Sequence, residues 1–325
     1  MINNETIKYE IWTNKLSKTY GKGEKAVKAV KQIDITVEPG IYGFLGPNGA
    51  GKTSTIHMLI GAISITSGKA KIRGMNAGSV NSRRIIGFLP QDPSFYKNMT
   101  GKQYLLYMAQ LNGLKKMVAR QKIEELLGFF DLMDAKERKI GKYSGGMKQK
   151  IGIAASLIHD PEILILDEPT SNLDPIARAE IINRIKKLSE NISVFVSSHI
   201  LSEIEQMCEK VVMINKGKII LIDTIKNIKD IYKASSNTFI LSTDLNEKMI
   251  QILKVKDYIA NIWLNEKENK IYIKPSNNNA FLSEIPKLLA ENNVMLKSLN
   301  QQESTLQDIF VDIIGEDDKN EFKKK

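Results

Sequence analysis

The chain has 325 residues, of which 42% are hydrophobic and 26% are charged, and its formal net charge is +10. These proportions are typical of a soluble globular protein and exclude disordered, collagenous and disulfide-rich proteins. Cys208 is the single cysteine, which excludes an internal disulfide and a cysteine-based zinc site and favours a reducing compartment. At this length we expect one large domain and a smaller one.

Neither a transmembrane helix nor a signal peptide is predicted. Residues 53–67 form most of the longest uncharged stretch, which is too short and too polar to span a bilayer. The first ten residues lack the basic start and apolar core that export requires. Residues 231–325 carry 13 Lys and Arg against 14 Asp and Glu, so the basic excess lies upstream. Attraction to phosphates, nucleic acid or an anionic membrane is one interpretation of this excess. Dispersed solubilising lysines are the other, and we favour this interpretation for most of the excess.

In chain order, short Val-, Ile- and Leu-rich strands alternate with longer helical segments. Residues 41–45 and 163–166 are apolar nearly throughout, which is typical of strands buried on both faces of a parallel sheet. The pattern predicts an α/β domain at residues 1–225. Charged and Ser-rich residues then predict a linker at residues 226–237.

Residues 238–325 predict a smaller α+β domain. Its strands are expected at residues 238–241, 259–264, 270–273 and 294–299, and its helices at residues 247–254, 280–290 and 306–314. The order β-α-β-β-α-β with an added helix is ferredoxin-like. Because this part contains no His, no Cys and no glycine-rich loop, we predict a structural or regulatory role for it.

A glycine-rich loop follows the first of the two buried strands and precedes a helical segment. Its sequence contains the full G-x-x-x-x-G-K-[ST] pattern of a phosphate-binding loop, in which backbone N–H groups and a helix N-terminus face phosphate oxygens. Lys52 is expected to reach the β- and γ-phosphates, and Thr53 to bind Mg²⁺. The residues of this loop predicted to bind nucleotide are Gly46, Pro47, Asn48, Gly49, Ala50, Gly51, Lys52, Thr53 and Ser54.

Two carboxylates follow the second buried strand. Asp167 and Glu168 lie at the sheet edge where nucleotides enter an open α/β sheet. We expect Asp167 to hold Mg²⁺, and Glu168 to orient and deprotonate the attacking water. Solvation of a strand end is the alternative interpretation, and the phosphate-binding loop argues against it.

Residues 143–150, YSGGMKQK, resemble the signature motif of ATP-binding-cassette (ABC) ATPases and precede Asp167 at the interval usual in that family. The resemblance is continuous over residues 40–215. It implies a P-loop NTPase fold of the ABC ATPase type, with a RecA-like core and a helical subdomain, that binds ATP and Mg²⁺ and hydrolyses ATP. In the family, the signature contacts the γ-phosphate of ATP held by a second subunit. This role would fall on Ser144, Gly145 and Gly146, for which a plain helix cap is the alternative.

Further site residues are implied by the same resemblance. Gln91 matches the Q-loop and is expected to ligate Mg²⁺ weakly, and His199 matches the switch histidine that hydrogen-bonds the γ-phosphate. Asp174, in the D-loop, is expected among the ATP-binding residues. Tyr20 matches the position that stacks on adenine, and anchoring of a loop is its alternative role. The predicted catalytic residues are thus Glu168, His199 and Gln91.

The departures from the usual LSGGQ signature, Tyr143 and Met147, resemble those of ATP-binding subunits of bacterial and archaeal drug, antibiotic and lipid exporters, as does the ending at residues 303–310. The resemblance implies a dimeric ATPase that couples hydrolysis to export through separate transmembrane permease subunits. It would then lie peripherally at the cytoplasmic face of the cell membrane. Residues 92–111 would dock the permease with an aromatic surface, unless their rings pack in the core: Phe95, Tyr96, Tyr104 and Tyr107.

A soluble ABC ATPase that acts on nucleic acid or the ribosome is the second hypothesis, motivated by the basic excess. ABC ATPases that act as translation factors carry two cassettes in one chain, and those that act in DNA repair have a cassette interrupted by a long coiled coil. This chain has one uninterrupted cassette and a nearly neutral C-terminal part. The sequence therefore favours the transporter, and no nucleic acid partner is expected.

Overall fold

The fold is described from a computed structural model of the chain, in residues 9–235, 238–266 and 268–301. The chain divides into two compact units, Met1–Ile225 and Lys226–Lys325. The strands of the first unit are β1 (Ile11–Tyr20), β2 (Val27–Ile33), β3 (Thr36–Val37), β4 (Ile41–Leu45), β5 (Ser67–Ile72), β6 (Met75–Asn76), β7 (Ile86–Leu89), β8 (Ile163–Asp167), β9 (Ser193–Ser198), β10 (Lys210–Asn215) and β11 (Lys218–Thr224). Its helices are α1 (Lys52–Ile60), α2 (Val80–Arg84), α3 (Gly101–Leu111), α4 (Lys116–Phe129), α5 (Gly145–Leu157), α6 (Pro175–Ser189) and α7 (Leu201–Met207).

The central sheet of the first unit has the strand order β11-β10-β4-β9-β8-β7. The five strands from β10 to β7 are parallel, and β11 is antiparallel at one edge. Every residue of β4 and β8 is buried, and the rings of Phe44 and Phe195 lie 5.2 Å apart in the core. The predicted α/β fold with a largely parallel sheet is confirmed. Its parallel arrangement brings the carboxyl ends of β4, β8 and β9 to one edge.

A second, antiparallel sheet was not predicted from the sequence. It has the order β2-β1-β5-β6, with β3 also paired to β1. Its strands give a weak signal because they mix buried and exposed residues, as where buried Leu16 follows exposed Asn14 and Lys15 in β1. This sheet carries Tyr20 at the end of β1 and Ala29 in β2 to the glycine-rich loop.

The residues predicted as a linker, 226–237, begin with helical structure. Helix α8 (Ile225–Ser235) continues directly from β11. Ile225 and Ile228 are three residues apart and both buried, so one helical face is covered. Residues 226–235 are thus helical, and their role as a linker stays a prediction, because a linker can be helical as well as irregular.

The second unit has the predicted ferredoxin-like topology. Its elements are β12 (Phe239–Thr243), α9 (Asn246–Lys254), β13 (Ile259–Asn265), β14 (Lys270–Pro275), α10 (Asn278–Glu291) and β15 (Leu296–Gln301). The antiparallel sheet has the order β13-β14-β12-β15. Buried residues of both helices, such as Leu253 and Phe281, pack with Phe239 and Ile271 of the sheet. The helix predicted at residues 306–314 lies outside the described residues.

Candidate active site

A cleft of about 400 Å³ lies beside the glycine-rich loop, between β4 and α1. Residues from four separate segments line it: Ala29, Asn48, Gly49, Gly51, Lys52, Thr53, Ser54, Gln91 and Glu168. The fold thus brings the predicted phosphate-binding loop together with the predicted Gln91 and Glu168. Ala29 was not predicted, because a small residue in a half-exposed strand carries no chemical signal.

The glycines of the loop are required by close backbone contacts. Gly51 has φ +108°, and a Cβ atom there would lie 2.6 Å from the carbonyl oxygen of Ala29. At Gly46 a Cβ atom would lie 2.3 Å from the carbonyl oxygen of Ile214. Only glycine fits at both positions without displacing backbone. The loop can therefore curl tightly at the end of β4, beside the cleft.

Lys52 places a cation at the base of the cleft. Its side chain is 5% exposed, and its Nζ atom donates to the carbonyl oxygens of Gly46 at 2.8 Å and Pro47 at 3.3 Å. The same Nζ lies 3.2 Å from Oε1 of Glu168. The lysine is thus held at the loop by its own backbone while its charge is balanced by the carboxylate.

Glu168 is the point at which the polar groups of the site converge. Its Oε2 atom accepts a hydrogen bond from Nε2 of Gln91 at 3.2 Å and lies 3.0 Å from Nδ1 of His199. Its backbone has φ +48°, a conformation that is unfavourable for a residue with a side chain. A backbone N–H donation to Oγ of Ser197 at 2.9 Å fixes this turn. The strained position turns the carboxylate towards Lys52 and the cleft.

Asp167 is fully buried, and only one of its carboxylate oxygens has a donor. Oδ1 accepts from Oγ of Ser197 at 2.5 Å, whereas Oδ2 has no hydrogen-bond donor among the described residues. A buried carboxylate oxygen without a partner is costly and fits a cation or its bound water. Thr53 and Gln91 offer further oxygen atoms in the adjacent cleft. The residues present therefore fit the predicted Mg²⁺ site.

The predicted residues Ser144, Gly145, Gly146 and Asp174 do not line this cleft. Ser144 caps α5, its Oγ accepting from the N–H of Met147 at 3.3 Å. Asp174 caps α6 by accepting from two backbone N–H groups at 3.0 and 3.1 Å. Within one chain, Ser144 and Asp174 are thus helix caps, Gly145 and Gly146 begin α5, and all four lie outside this cleft.

Comparison with known proteins identifies the family. A family model described as "ABC transporter" matches residues 30–171. The bacitracin transport ATP-binding protein BcrA of Bacillus licheniformis is 38% identical over 94% of this chain and 97% of its own length. An uncharacterized ABC transporter ATP-binding protein, YxlF of Bacillus subtilis, is 36% identical over 88% of this chain and 95% of its own length. The chain belongs to the ABC transporter ATP-binding proteins.

Solved ABC structures have the same fold. A structure of an ATP-binding subunit of an ABC transporter superimposes with a TM-score of 0.60, at 26% identity, over 68% of this chain and 92% of that one. The cassette MJ0796 in a dimeric, post-hydrolysis state bound to ADP and Pi also gives 0.60, at 22% identity, over 66% of this chain and 98% of that one. The expected ABC ATPase fold is confirmed, and the chain is an ATP-binding, ATP-hydrolysing subunit of an ABC transporter. No helix in the described residues is long and apolar enough to cross a membrane.

In this ABC ATPase the unusual signature residue Tyr143 is part of the core. Its ring is 4% exposed, and its hydroxyl donates to the carbonyl oxygen of Ala135 at 2.8 Å. A Cβ atom at Gly101 would lie 2.2 Å from that hydroxyl, so the larger ring is accommodated by a glycine at the start of α3. The departure from the usual leucine therefore changes packing behind the signature and leaves Ser144 free to cap α5.

Tyr20 lies at the edge of the same site. Its hydroxyl is 3.2 Å from Oγ of Ser54, and the Nζ atom of Lys18 lies 5.1 Å from the centre of its ring. The residue is 42% exposed, which leaves ring surface open to a ligand. Its stacking on adenine remains a prediction, and the bond to Ser54 agrees with the loop-anchoring alternative.

Proposed function

We propose that this ATP-binding subunit works as a homodimer, with ATP and Mg²⁺ at the interface, and drives export through separate transmembrane permease subunits. The observation that carries the proposal is the convergence of Lys52, Gln91 and His199 on the carboxylate of Glu168. This arrangement suits a general base that is paired with a lysine, and so inactive, until a phosphate replaces it as the partner of the lysine. The relatives whose names include bacitracin transport and linearmycin resistance support export.

The mechanism starts from competition for Lys52. Phosphate oxygens entering the cleft compete with Glu168 for the Nζ atom, because both are anionic. Release of Oε1 leaves the carboxylate free to take a proton from water. Gln91 and His199, which contact Oε2, keep the carboxylate oriented. Nucleotide binding would thus prepare the base that hydrolyses it.

Mg²⁺ would be held by Thr53, Gln91 and Asp167, consistent with the unpartnered Oδ2 atom of Asp167. Bound there, the ion would neutralise phosphate charge during transfer. Ser197 would keep Asp167 in place, because its hydroxyl donates to Oδ1. This serine pairs with Asp167 in the β8–β9 register, and it was missed because neither its position nor its chemistry stands out in the sequence.

A composite site explains why the signature and D-loop residues lie outside the cleft of their own chain. Ser144 and Asp174 cap the N-terminal ends of α5 and α6, and the N-terminal end of a helix favours an anion. The two ends are adjacent, since a Cβ atom at Gly146 would lie 2.9 Å from Cβ of Ala177. One chain would therefore supply Lys52, and the second chain Ser144, Gly145, Gly146 and Asp174.

Specific activity should rise with protein concentration when the isolated chain is assayed at saturating ATP and Mg²⁺. The reason is that the active dimer dissociates on dilution. The measurement is ATPase rate per mole of chain across a dilution series, with light scattering to follow the monomer and dimer. A constant specific activity in a sample that is monomeric throughout would contradict the shared site.

The permease is expected to dock near residues 92–111, at the cytoplasmic face of the membrane. Tyr104 is buried in the core, and its ring packs edge-on against the half-buried ring of Phe95 at 5.5 Å. Tyr96 is 54% exposed and contacts Tyr107 at 5.4 Å. The proposed docking surface therefore contains the rings of Tyr96 and Tyr107.

The full-length tagged chain should co-purify from its own cells with a polytopic membrane protein in mild detergent. Replacing Tyr96 with Asp should reduce the recovered permease, because a charge would then face its apolar surface. A Tyr20→Asp variant, which changes another exposed ring, is the control and should retain the permease. Recovery of ribosomes or DNA in place of a membrane protein would contradict the assignment to export.

A further inference from the structure

A buried carboxylate outside the cleft joins three segments that carry predicted site residues. Glu203 lies in α7 and is 2% exposed. Its Oε2 atom accepts from Oγ1 of Thr170 at 2.7 Å and from Oγ of Ser198 at 2.8 Å. Its Oε1 atom lies 3.2 Å from Nε of Arg178. Each of these partners belongs to a different part of the chain.

The partners occupy informative positions. Thr170 is two residues after the proposed base Glu168, and Ser198 directly precedes His199. Oγ of Ser198 also accepts from the N–H of Ile200 at 2.9 Å, so the turn that contains His199 is held on both sides. A single carboxylate thus fixes the segments on either side of the 3.0 Å contact between His199 and Glu168.

The third partner extends the connection to the D-loop. Arg178 lies in the first turn of α6, and its Nη2 atom donates to the carbonyl oxygen of Leu173 at 3.3 Å. Leu173 directly precedes Asp174, which the composite-site proposal places against the second chain. Arg178 therefore links this segment to Glu203, and Glu203 links it to the two loops of the hydrolytic site.

The ion pair between Glu203 and Arg178 contributes little stability, because the arginine side chain is 35% exposed and its charge is screened by water. The hydrogen bonds that Thr170 and Ser198 donate to Glu203 are directional and strong, since the acceptor is charged. The arrangement therefore suits a role in geometry. A bond lost here would leave the loops folded but less exactly placed.

We propose that Glu203 is a positioning residue that holds Glu168 and His199 in register through Thr170 and Ser198, and couples them to the D-loop through Arg178. The proposal rests on the proposed roles of Glu168 and His199. Glu203 does not line the cleft, so it acts on turnover through these loops without touching nucleotide. ATP affinity should then be independent of it.

The test is steady-state ATPase kinetics and calorimetric ATP affinity of full-length variants. Glu203→Gln should lower kcat by roughly 10- to 100-fold, because small displacements of catalytic groups cost rates of this order. The KM and Kd for ATP should change by less than about twofold, since the lysine and the loop are untouched. Glu10→Gln is the matched control, because Glu10 is also buried, at 4% exposed, and lies near Arg73 at 3.7 Å. It should leave kcat unchanged.

Two variants of Thr170, one without and one with a hydroxyl group, test the proposal if Glu203→Gln fails to fold. Thr170→Val keeps the side-chain shape but removes the donor, and should lower kcat by about tenfold. Thr170→Ser keeps the hydroxyl and should stay within about twofold of the wild type. Equal kcat values for the two Thr170 variants would overturn the proposal, as would a folded Glu203→Gln chain with wild-type kcat. Wild-type ATP hydrolysis by Glu168→Gln would contradict the proposed function itself. Wild-type kcat in Glu203→Gln together with an inactive Glu168→Gln would contradict only the positioning role of Glu203.

Discussion

Glu168→Gln should bind ATP and hydrolyse it roughly 10²- to 10⁴-fold more slowly than the wild type, the range expected for loss of a general base. The amide retains the shape of the carboxylate but cannot accept the proton of water. The amide oxygen can still accept a hydrogen bond from Gln91, which in the wild type donates to Oε2 of Glu168. The measurement is single-turnover hydrolysis with saturating protein, which separates chemistry from product release.

The ion pair between Lys52 and Glu168 adds a second expectation for this variant. In the structure, Nζ of Lys52 lies 3.2 Å from the carboxylate, so bound phosphate has to replace an existing anion. Glu168→Gln removes that competitor, and its ATP affinity should equal or exceed the wild-type value. Glu10→Gln, another change of a buried carboxylate, serves as the control for stability. Hydrolysis at the wild-type rate would show that a different group is the base.

The sequence predicted a phosphate-binding loop, the two carboxylates at the end of β8 and the topology of the second unit because each depends on local information. The loop requires glycine at positions where a Cβ atom would collide, as at Gly46 and Gly51. The strands β4 and β8 are apolar because both of their faces are buried. In the second unit, period-two and helical patterns follow each other with short turns, so the element order could be derived directly.

The groups that connect the site could not be predicted, because they depend on contacts between distant segments. Ser197 reaches Asp167, thirty positions away in the chain, only because β8 and β9 pair in parallel. Glu203 meets Thr170, 33 positions away in the chain, for a similar reason. Isolated serine, threonine and glutamate residues give no periodic signal, and their partners become visible only once the sheet is formed.

The antiparallel sheet was missed for a different physical reason. Its strands are covered on one side and remain partly open on the other, and the bulges of β1 interrupt the alternation of apolar and polar residues. The same sheet delivers Tyr20 and Ala29 to the nucleotide cleft. Sequence motifs therefore gave more predictions for the end of the site expected to receive phosphate than for the end expected to receive adenine.

Lys52→Ala should weaken ATP binding by roughly 10- to 100-fold, because a hydrogen bond to a charged group contributes about 1.5–3 kcal/mol, and should reduce turnover to background. Both quantities should fall, because the ammonium is expected to contact phosphate in the bound state and during transfer. Calorimetry measures the affinity, and phosphate release measures the turnover.

The Lys52 and Glu168 variants are expected to change ATP affinity in opposite directions, which tests whether phosphate replaces Glu168 as the partner of Lys52. Loss of the lysine leaves Glu168 without the cation 3.2 Å away, whereas loss of the carboxylate frees the lysine for phosphate. Lys136→Ala, which breaks an ion pair with Glu124 away from the cleft, should retain affinity and turnover and so controls for general loss of charge. Because Lys52 is 5% exposed, thermal unfolding is recorded for each variant. Unchanged ATP affinity in a folded Lys52→Ala chain would count against the phosphate-binding loop, and unchanged affinity together with normal turnover would remove the competition between phosphate and Glu168 from the mechanism.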